Sequence, residues 1–182
     1  MSNPRPFATQ IDLHTGLMSS YERHFLRHSG DMAGYYRAEP QADDLLIYEY
    51  FERDVPAEQG EIVQNISILH AGTIDGEYYM TKGHYHADQR CSEVYLCLRG
   101  RGYLLMQTRG GETDAQAYRP GISIYVPPGW AHRSVNTGDE PLVLFALYPA
   151  DSGHDYGSIA EEGFWARVIR GADGRPAIVP GD

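Results

Sequence analysis

Cysteine is scarce in this chain: Cys91 and Cys97 are the only two. Two thiols cannot make the disulfide framework that staples a small secreted domain, and without a Cys-x-x-Cys spacing they suggest neither a zinc knuckle nor a dithiol redox pair. They read as reduced thiols of a cytoplasmic protein. Positive charge is also short. Fifteen Lys and Arg against 25 Asp and Glu leave a net charge of −10, which argues against a broad nucleic-acid surface or an anionic membrane patch. A local positive site could still take a small anion. Long apolar runs are missing: none approaches the roughly 20 residues that cross a bilayer, and the opening MSNPRPFATQ has no apolar signal core. The expectation is a soluble protein with no membrane partner. No repeat or low-complexity tract appears, so 182 residues amount to one domain, or one domain with an arm, able to bury a sizeable core.

What is present changes character near residue 45. The polar first part, 1–44, reads as an arm in which Ser20 to about His28 makes a short helix and Gly30 and Gly34 stop anything longer. From there β-type runs alternate with turn residues: Leu45–Glu52, Glu61–His70, Glu77–Lys82, Glu93–Leu98, Gly102–Thr108, Ile122–Val126, Arg133–Asn136 and Leu142–Tyr148. Short strands at such spacing predict an antiparallel sandwich or barrel, here residues 45–157. Gly110-Gly111 marks a hairpin, Pro120-Gly121 a corner and Thr137–Pro141 a loop. The extension 158–182 adds a helix and an edge strand, Arg167–Arg170.

One segment of this pattern is unusually rich in metal-ligand side chains. "MTKGHYHADQRCSEVYLCLRG" sets His84 and His86 one residue apart, and Glu93 follows seven residues later. In an extended chain His84 and His86 share a face. In Glu93–Leu98, Val94, Leu96 and Leu98 form one face while Glu93, Tyr95 and Cys97 form the other. A face carrying Glu and Tyr points either to solvent or into a polar cavity, and parity does not choose. A lone His-x-His is more often two histidines on an exposed strand. A second cluster changes the weighting: "PGISIYVPPGWAHRSVN" holds Gly121, Pro127, Gly129, His132 and Asn136 at G-x5-P-x-G-x2-H-x3-N. The Pro-Pro-Gly turn fixes entry into a strand whose first inward residue can be His132. Three imidazoles and one carboxylate suit Fe, Mn, Ni, Co or Zn and suit Mg or Ca poorly. Two octahedral positions then stay open for a substrate, which favours catalysis over a structural ion.

These two clusters resemble the two motifs of the cupin superfamily, which implies an all-β cupin double-stranded β-helix, a small antiparallel jelly-roll barrel. The gap from His86 to Glu93 is longer than the usual cupin gap, and Tyr78 stands where the first motif often begins with Gly. The longer gap is shared with the cupin-type glucose-6-phosphate isomerases. To that family the chain is similar in "YYMTKGHYH", "EVYLCLRGRGYLLMQT" and "YVPPGWAHRSVNTGDEPLVLFALYPADSGHDYGSIAEEGF", and more loosely in "DMAGYY" and "LIYEYF". The likeness runs from about Asp31 to Val168, with "YPADSGHDYG" its most specific stretch.

The resemblance implies interconversion of glucose 6-phosphate and fructose 6-phosphate, a step of glycolysis and gluconeogenesis. Such barrels have exposed sheet edges, and the arm with Leu45–Glu52 can cover one belonging to a neighbour, so a homodimer is expected. The resemblance also implies one divalent transition metal per subunit, Fe2+ first and Mn2+, Ni2+, Co2+ or Zn2+ as alternatives, held by His84, His86, Glu93 and His132. Such an ion chelating O1 and O2 of the sugar would polarise the carbonyl and steady an enediol. Tyr95, His154 and Tyr156 would pass protons or orient hydroxyls beside Glu93, and Tyr148 would contact the sugar. Tyr148 ends an apolar strand and could instead be core, whereas His154 and Tyr156 sit in a glycine-flanked loop. The phosphate falls to Tyr48, Ser67, Thr81 and Gly83, with Ser67 standing where the family has threonine. Lys82 is adjacent, but strand parity puts it on the opposite face. Two other readings compete: another cupin metalloenzyme such as a dioxygenase, and a cupin that binds sugar or metal without catalysis. The "GHDYG" segment and the hydroxyls assigned to phosphate argue against the first, and the intact ligand set argues against the second.

Overall fold

The computed structural model describes residues 5–40, 42 and 44–181. Among these the strands are, in order, β1 (Arg23–His28), β2 (Leu46–Arg53), β3 (Ile62–Leu69), β4 (Thr73–Ile74), β5 (Glu77–Tyr78), β6 (Tyr85–His86), β7 (Glu93–Arg99) and β8 (Gly102–Thr108). They continue with β9 (Thr113–Tyr118), β10 (Ser123–Val126), β11 (Trp130–Asn136), β12 (Leu142–Pro149) and β13 (His154–Asp155), and after helix α1 (Gly157–Glu162) with β14 (Ala166–Arg170) and β15 (Pro176–Pro180). A six-stranded sheet in the order β1-β2-β3-β12-β7-β10 accompanies a three-stranded sheet β11-β8-β9. The pairings are antiparallel. This is the all-β barrel expected of a cupin. No helix among the described residues is long and apolar enough to cross a membrane.

The barrel interior joins Leu104 and Val135 of the small sheet to Tyr95, Ile124, Val126 and Leu144 of the large one. Each fully buried Leu or Ile in it contributes about 1.5–3 kcal/mol relative to exposure. Strand β7 now resolves its parity. Glu93, Tyr95 and Cys97 are buried while Val94, Leu96 and Leu98 are only half-buried, so the polar face looks into the barrel and the apolar face looks out. Outside, a second cluster of Phe51, Ile66, Ile68 and Val143 is covered by Met18 and Ile11 from the arm.

Asn136 explains the last position of the second motif. It is fully buried, its Nδ2 donates to the carbonyls of Leu69 (2.9 Å), His70 (3.1 Å) and Glu140 (2.9 Å), and its Oδ1 accepts from the Gly138 N–H at 2.9 Å. One side chain thus ties the β3 end and the turn before β12 to β11. Gly121 and Gly129, at φ +86° and +79°, occupy the left-handed turn positions that the motif reserves for glycine.

Several expectations are corrected. Ser20–His28 is not a helix: Arg23–His28 is strand β1, paired with β2, because His24 stacks on Phe51 at 4.1 Å and Phe25 on Tyr50 at 4.7 Å across the two strands. The strand from Glu77 ends at Tyr78 rather than Lys82. Arg167–Arg170 lies within β14 but is not at an edge, since β15 lies outside it in the order β15-β14-β5-β4. The hairpin partner β9, rich in Ala, Gln and Asp, carries too few β-forming residues to have been foreseen.

Candidate active site

Three antiparallel contacts bring the metal-ligand side chains together. His84 and His132 form an isolated bridge, with backbone hydrogen bonds of 3.3 and 3.1 Å, and their rings meet edge to face at 4.5 Å. His86 lies opposite His154 in the β6–β13 pair. Glu93 opens β7 opposite Val126, beside the Pro-Pro-Gly turn that launches β11. One ligand atom from each of His84, His86, Glu93 and His132 lies within 4.8 Å of the others.

The hydrogen bonds around this quartet orient it inward. His86 Nδ1 faces the Cys91 carbonyl at 3.2 Å and His132 Nδ1 faces the Trp130 carbonyl at 3.4 Å. With the proton on Nδ1, both rings turn an Nε2 lone pair to the centre. There Glu93 Oε2 lies 3.1 Å from His86 Nε2 and 3.0 Å from His132 Nε2. The His132 contact is close but not aligned for hydrogen bonding, and His84 Nε2 and His132 Nε2 are buried with no hydrogen-bond partner among the described residues. Two orphaned imidazole nitrogens beside a buried carboxylate fit a cation.

Ionisation follows the same geometry. Burial, with His132 and His154 nearby, pushes His84 well down, so it is neutral. Burial works against the Glu93 charge, but His132 and His86 hold its carboxyl well below the usual range. Burial likewise opposes the His86 charge, yet its bond to Glu93 raises it. The carboxylate therefore calls for a positive partner, either a metal ion or a proton on His86.

Three members of the quartet line a cavity with about 580 Å3 of empty space, counted out to its open mouth. His84, Glu93, His132, Tyr95, Tyr148, His154 and Tyr156 line it together with Tyr48, Ser67, Thr81 and Gly83; His86 stands behind this wall. His154 packs on His84 at 4.5 Å and stacks on Tyr156 at 5.7 Å. Tyr148, which the sequence left open as core, donates to the buried Glu52 Oε2 at 2.8 Å and still lines the cavity. Ser67 donates to Asn65 Oδ1 at 3.0 Å, while Thr81 Oγ1 accepts the Ser134 N–H at 3.1 Å. Lys82 also lines the cavity, against the parity reading. The reason is local: residues 81–83 lie in no strand, between isolated bridges at Met80 and His84, so alternation does not apply to them. Tyr50, Asn65 and Ser134 complete the wall and were missed. Each is two residues from a residue already singled out (Tyr48, Ser67, His132), so parity was the signal that could have found them.

Comparison with known proteins identifies the family. Residues 26–177 match the family model described as glucose-6-phosphate isomerase (GPI). The glucose-6-phosphate isomerase of Thermococcus gammatolerans is 43% identical over 93% of this chain and 92% of its own. That of Thermococcus litoralis is 39% identical over the same shares, and a putative glucose-6-phosphate isomerase 2 of Rhizobium meliloti is 36% identical over 96% and 92%. An oxalate oxidase structure superposes on 62% of this chain and 56% of its own with a TM-score of 0.51 at 14% identity, a likeness of the barrel fold alone. By its family match and by relatives that align along nearly its whole length, the chain belongs to the glucose-6-phosphate isomerase family, in its cupin form.

Proposed function

We infer that this protein interconverts glucose 6-phosphate and fructose 6-phosphate with a divalent metal ion held by His84, His86, Glu93 and His132. The observation that carries the reading is a single cavity whose lining joins His84, Glu93 and His132 of a buried three-histidine, one-carboxylate cluster to Tyr48, Ser67, Thr81 and Gly83. A six-carbon phosphosugar offers such a lining both a carbonyl beside a hydroxyl for a metal and a phosphate for hydroxyl and amide donors. The ion, Fe2+ by preference, would polarise the sugar carbonyl through O1 and O2. Tyr48, Thr81 and Gly83 take the phosphate, through hydroxyls and a backbone N–H that glycine lets come close, and Ser67 joins them by turning its hydroxyl away from Asn65. Tyr148 spends its proton on Glu52, so toward the sugar it accepts a hydroxyl. His154 and Tyr156, stacked at 5.7 Å, hold and move hydroxyl protons. Glu93 takes the proton at C2 or C1, its lowered basicity offset by proximity, and Tyr95 beside it orients the reacting oxygens.

The chain acts as a cytoplasmic homodimer, joined through the exposed edge and outward face of its large sheet. Both cysteines are free and buried, in keeping with a reducing compartment. A coupled isomerase assay after chelation and metal add-back tests the function, run beside an oxygen-consumption trace. Activity should vanish with the metal and return with Fe2+, Mn2+, Ni2+ or Co2+, with no oxygen consumed. Full turnover in persistently metal-free protein would overturn the reading, and substrate-dependent oxygen uptake would replace it with a dioxygenase.

A further inference from the structure

Behind the wall that faces the substrate lies a buried cation that the function described so far does not use. Arg133 follows His132 on β11 and points the other way, out of the cavity, and it is 3% exposed. It makes no ion pair among the described residues. Its direct hydrogen bonds both go to one backbone group: Nη2 donates to the Lys82 carbonyl at 2.7 Å and Nε at 3.2 Å. The Phe164 ring covers the guanidinium at 4.4 Å. Burying a cation with no carboxylate in direct contact is expensive, and the nearby Glu77 charge and a cation–π contact offset only part of that. A side chain kept there at such a penalty holds something in place.

What it holds follows from the peptide plane. No peptide bond in the described chain is cis, so in the Lys82–Gly83 unit the C=O and the N–H point in opposite directions. With the Lys82 carbonyl drawn outward to Arg133, the Gly83 N–H is aimed inward, at the cavity that Lys82 and Gly83 line. That N–H donates to no other group among the described residues. The residue there must be glycine: at φ +75° a Cβ would lie 2.7 Å from Phe164, 3.1 Å from Arg133 Cβ and 3.1 Å from the His132 carbonyl. The turn is thus clamped from behind on three sides, and its free donor faces the substrate.

We propose that Arg133 is a positioning residue for anion recognition: by gripping the Lys82 carbonyl it presents the Gly83 N–H, already oriented, to the phosphate of the substrate. This rests on the assignment of the Thr81–Gly83 end of the cavity to phosphate. Preorganised amides bind an anion without the penalty of turning toward it, so losing the grip weakens the phosphorylated ligand selectively.

The test uses the full-length, metal-loaded protein with inorganic phosphate as probe. In the unmutated protein the Gly83 amide proton resonance of a Zn2+-loaded sample should move downfield as phosphate is added; a resonance that stays put overturns the proposal without any variant. By calorimetry, Arg133→Met should weaken phosphate about ten-fold, the scale of one charge-assisted hydrogen bond, while bound metal per chain stays at the wild-type value. In turnover the same variant should raise KM for fructose 6-phosphate more than it lowers kcat. Arg133→Lys, which can still donate to the carbonyl, should recover most of the affinity. A mere packing role would lower metal content, melting temperature and kcat together and would spare no ligand. Thr81→Val separates the two layers. If it weakens phosphate and Arg133→Met does not, the role of Arg133 is wrong; if neither variant changes phosphate binding, the phosphate site itself is misplaced.

Discussion

Glu93 bears two demands that pull against each other, since a carboxylate committed to His86, His132 and a cation is a poor base for a carbon acid. Proximity to both sugar carbons decides in its favour here, and the choice has an isotopic consequence. Turnover in D2O should leave deuterium at C2 of glucose 6-phosphate or C1 of fructose 6-phosphate, because an enediol made by proton removal re-protonates from solvent. Mass spectrometry of product at low conversion reads it. No label at any stage would assign a direct hydride shift and leave Glu93 as a ligand only. Glu93→Gln should lose at least about a thousand-fold in kcat even where metal is shown to be bound, since base catalysis and ground-state charge go together. Two positions further in from Tyr95 on the same inward face, Cys97 gives a simpler test. Burial pushes its thiol up to about 11, so at pH 8 only about a thousandth is thiolate. Iodoacetamide should leave Cys97 unmodified in the folded protein and label it on denaturation, as peptide mapping would show.

At the scale of elements, the clamp around Asn136 carries the most stability per side chain. Asn136→Ala removes the partner of three carbonyls, that of Leu69 buried and those of His70 and Glu140 part-buried, and of the buried Gly138 N–H, which should lower stability by about 2–4 kcal/mol. Urea unfolding of the metal-loaded variant measures it, and a loss under about 1 kcal/mol would mean that water replaces the amide. The same clamp shows why the motif positions could be read from sequence: Gly121, Gly129 and Asn136 are set by local backbone and hydrogen-bond requirements, which spacing encodes. The gathering of His84, His86, Glu93 and His132 was legible from the second cluster and from the resemblance of both clusters to cupin motifs; alternation put His84 and His86 on one face but did not choose between cavity and solvent. Reading failed where tertiary contacts or broken periodicity decide. Strand β1 exists through cross-strand stacking on β2, which no local propensity announces. Lys82 escapes its assigned face because residues 81–83 belong to no strand. The Arg133 grip on the Lys82 carbonyl joins residues 51 positions apart, one in each motif, and neither motif alone gives a hint of it.

For the whole molecule the unusual feature is the outward face of the large sheet. Register places Val94 beside Leu147 and Tyr125, and Leu96 beside Phe145, in one apolar stripe across β12, β7 and β10. The arm covers its β2–β3 end, but Tyr125 remains 57% exposed and Val94, Leu96 and Leu147 only half-buried. Nearby, Ile122 is 44% exposed and β10 ends the sheet. An unprotected edge beside an apolar face invites association. A second copy is the economical occupant, since a two-fold axis lets the same stripe serve both partners. Charge opposes this, for each chain brings −10, so the contact must be carried by apolar burial and should persist or tighten as salt screens the repulsion. Light scattering should therefore give about twice the 20.4 kDa of one chain at both low and high ionic strength. Leu96→Glu combined with Tyr125→Glu buries like charges against each other in the dimer and should return monomers whose metal-ligand quartet, on the opposite face of the sheet, still binds its ion. A wild-type mass near one chain, or a doubled mass that survives both glutamates, would place the interface elsewhere or remove it.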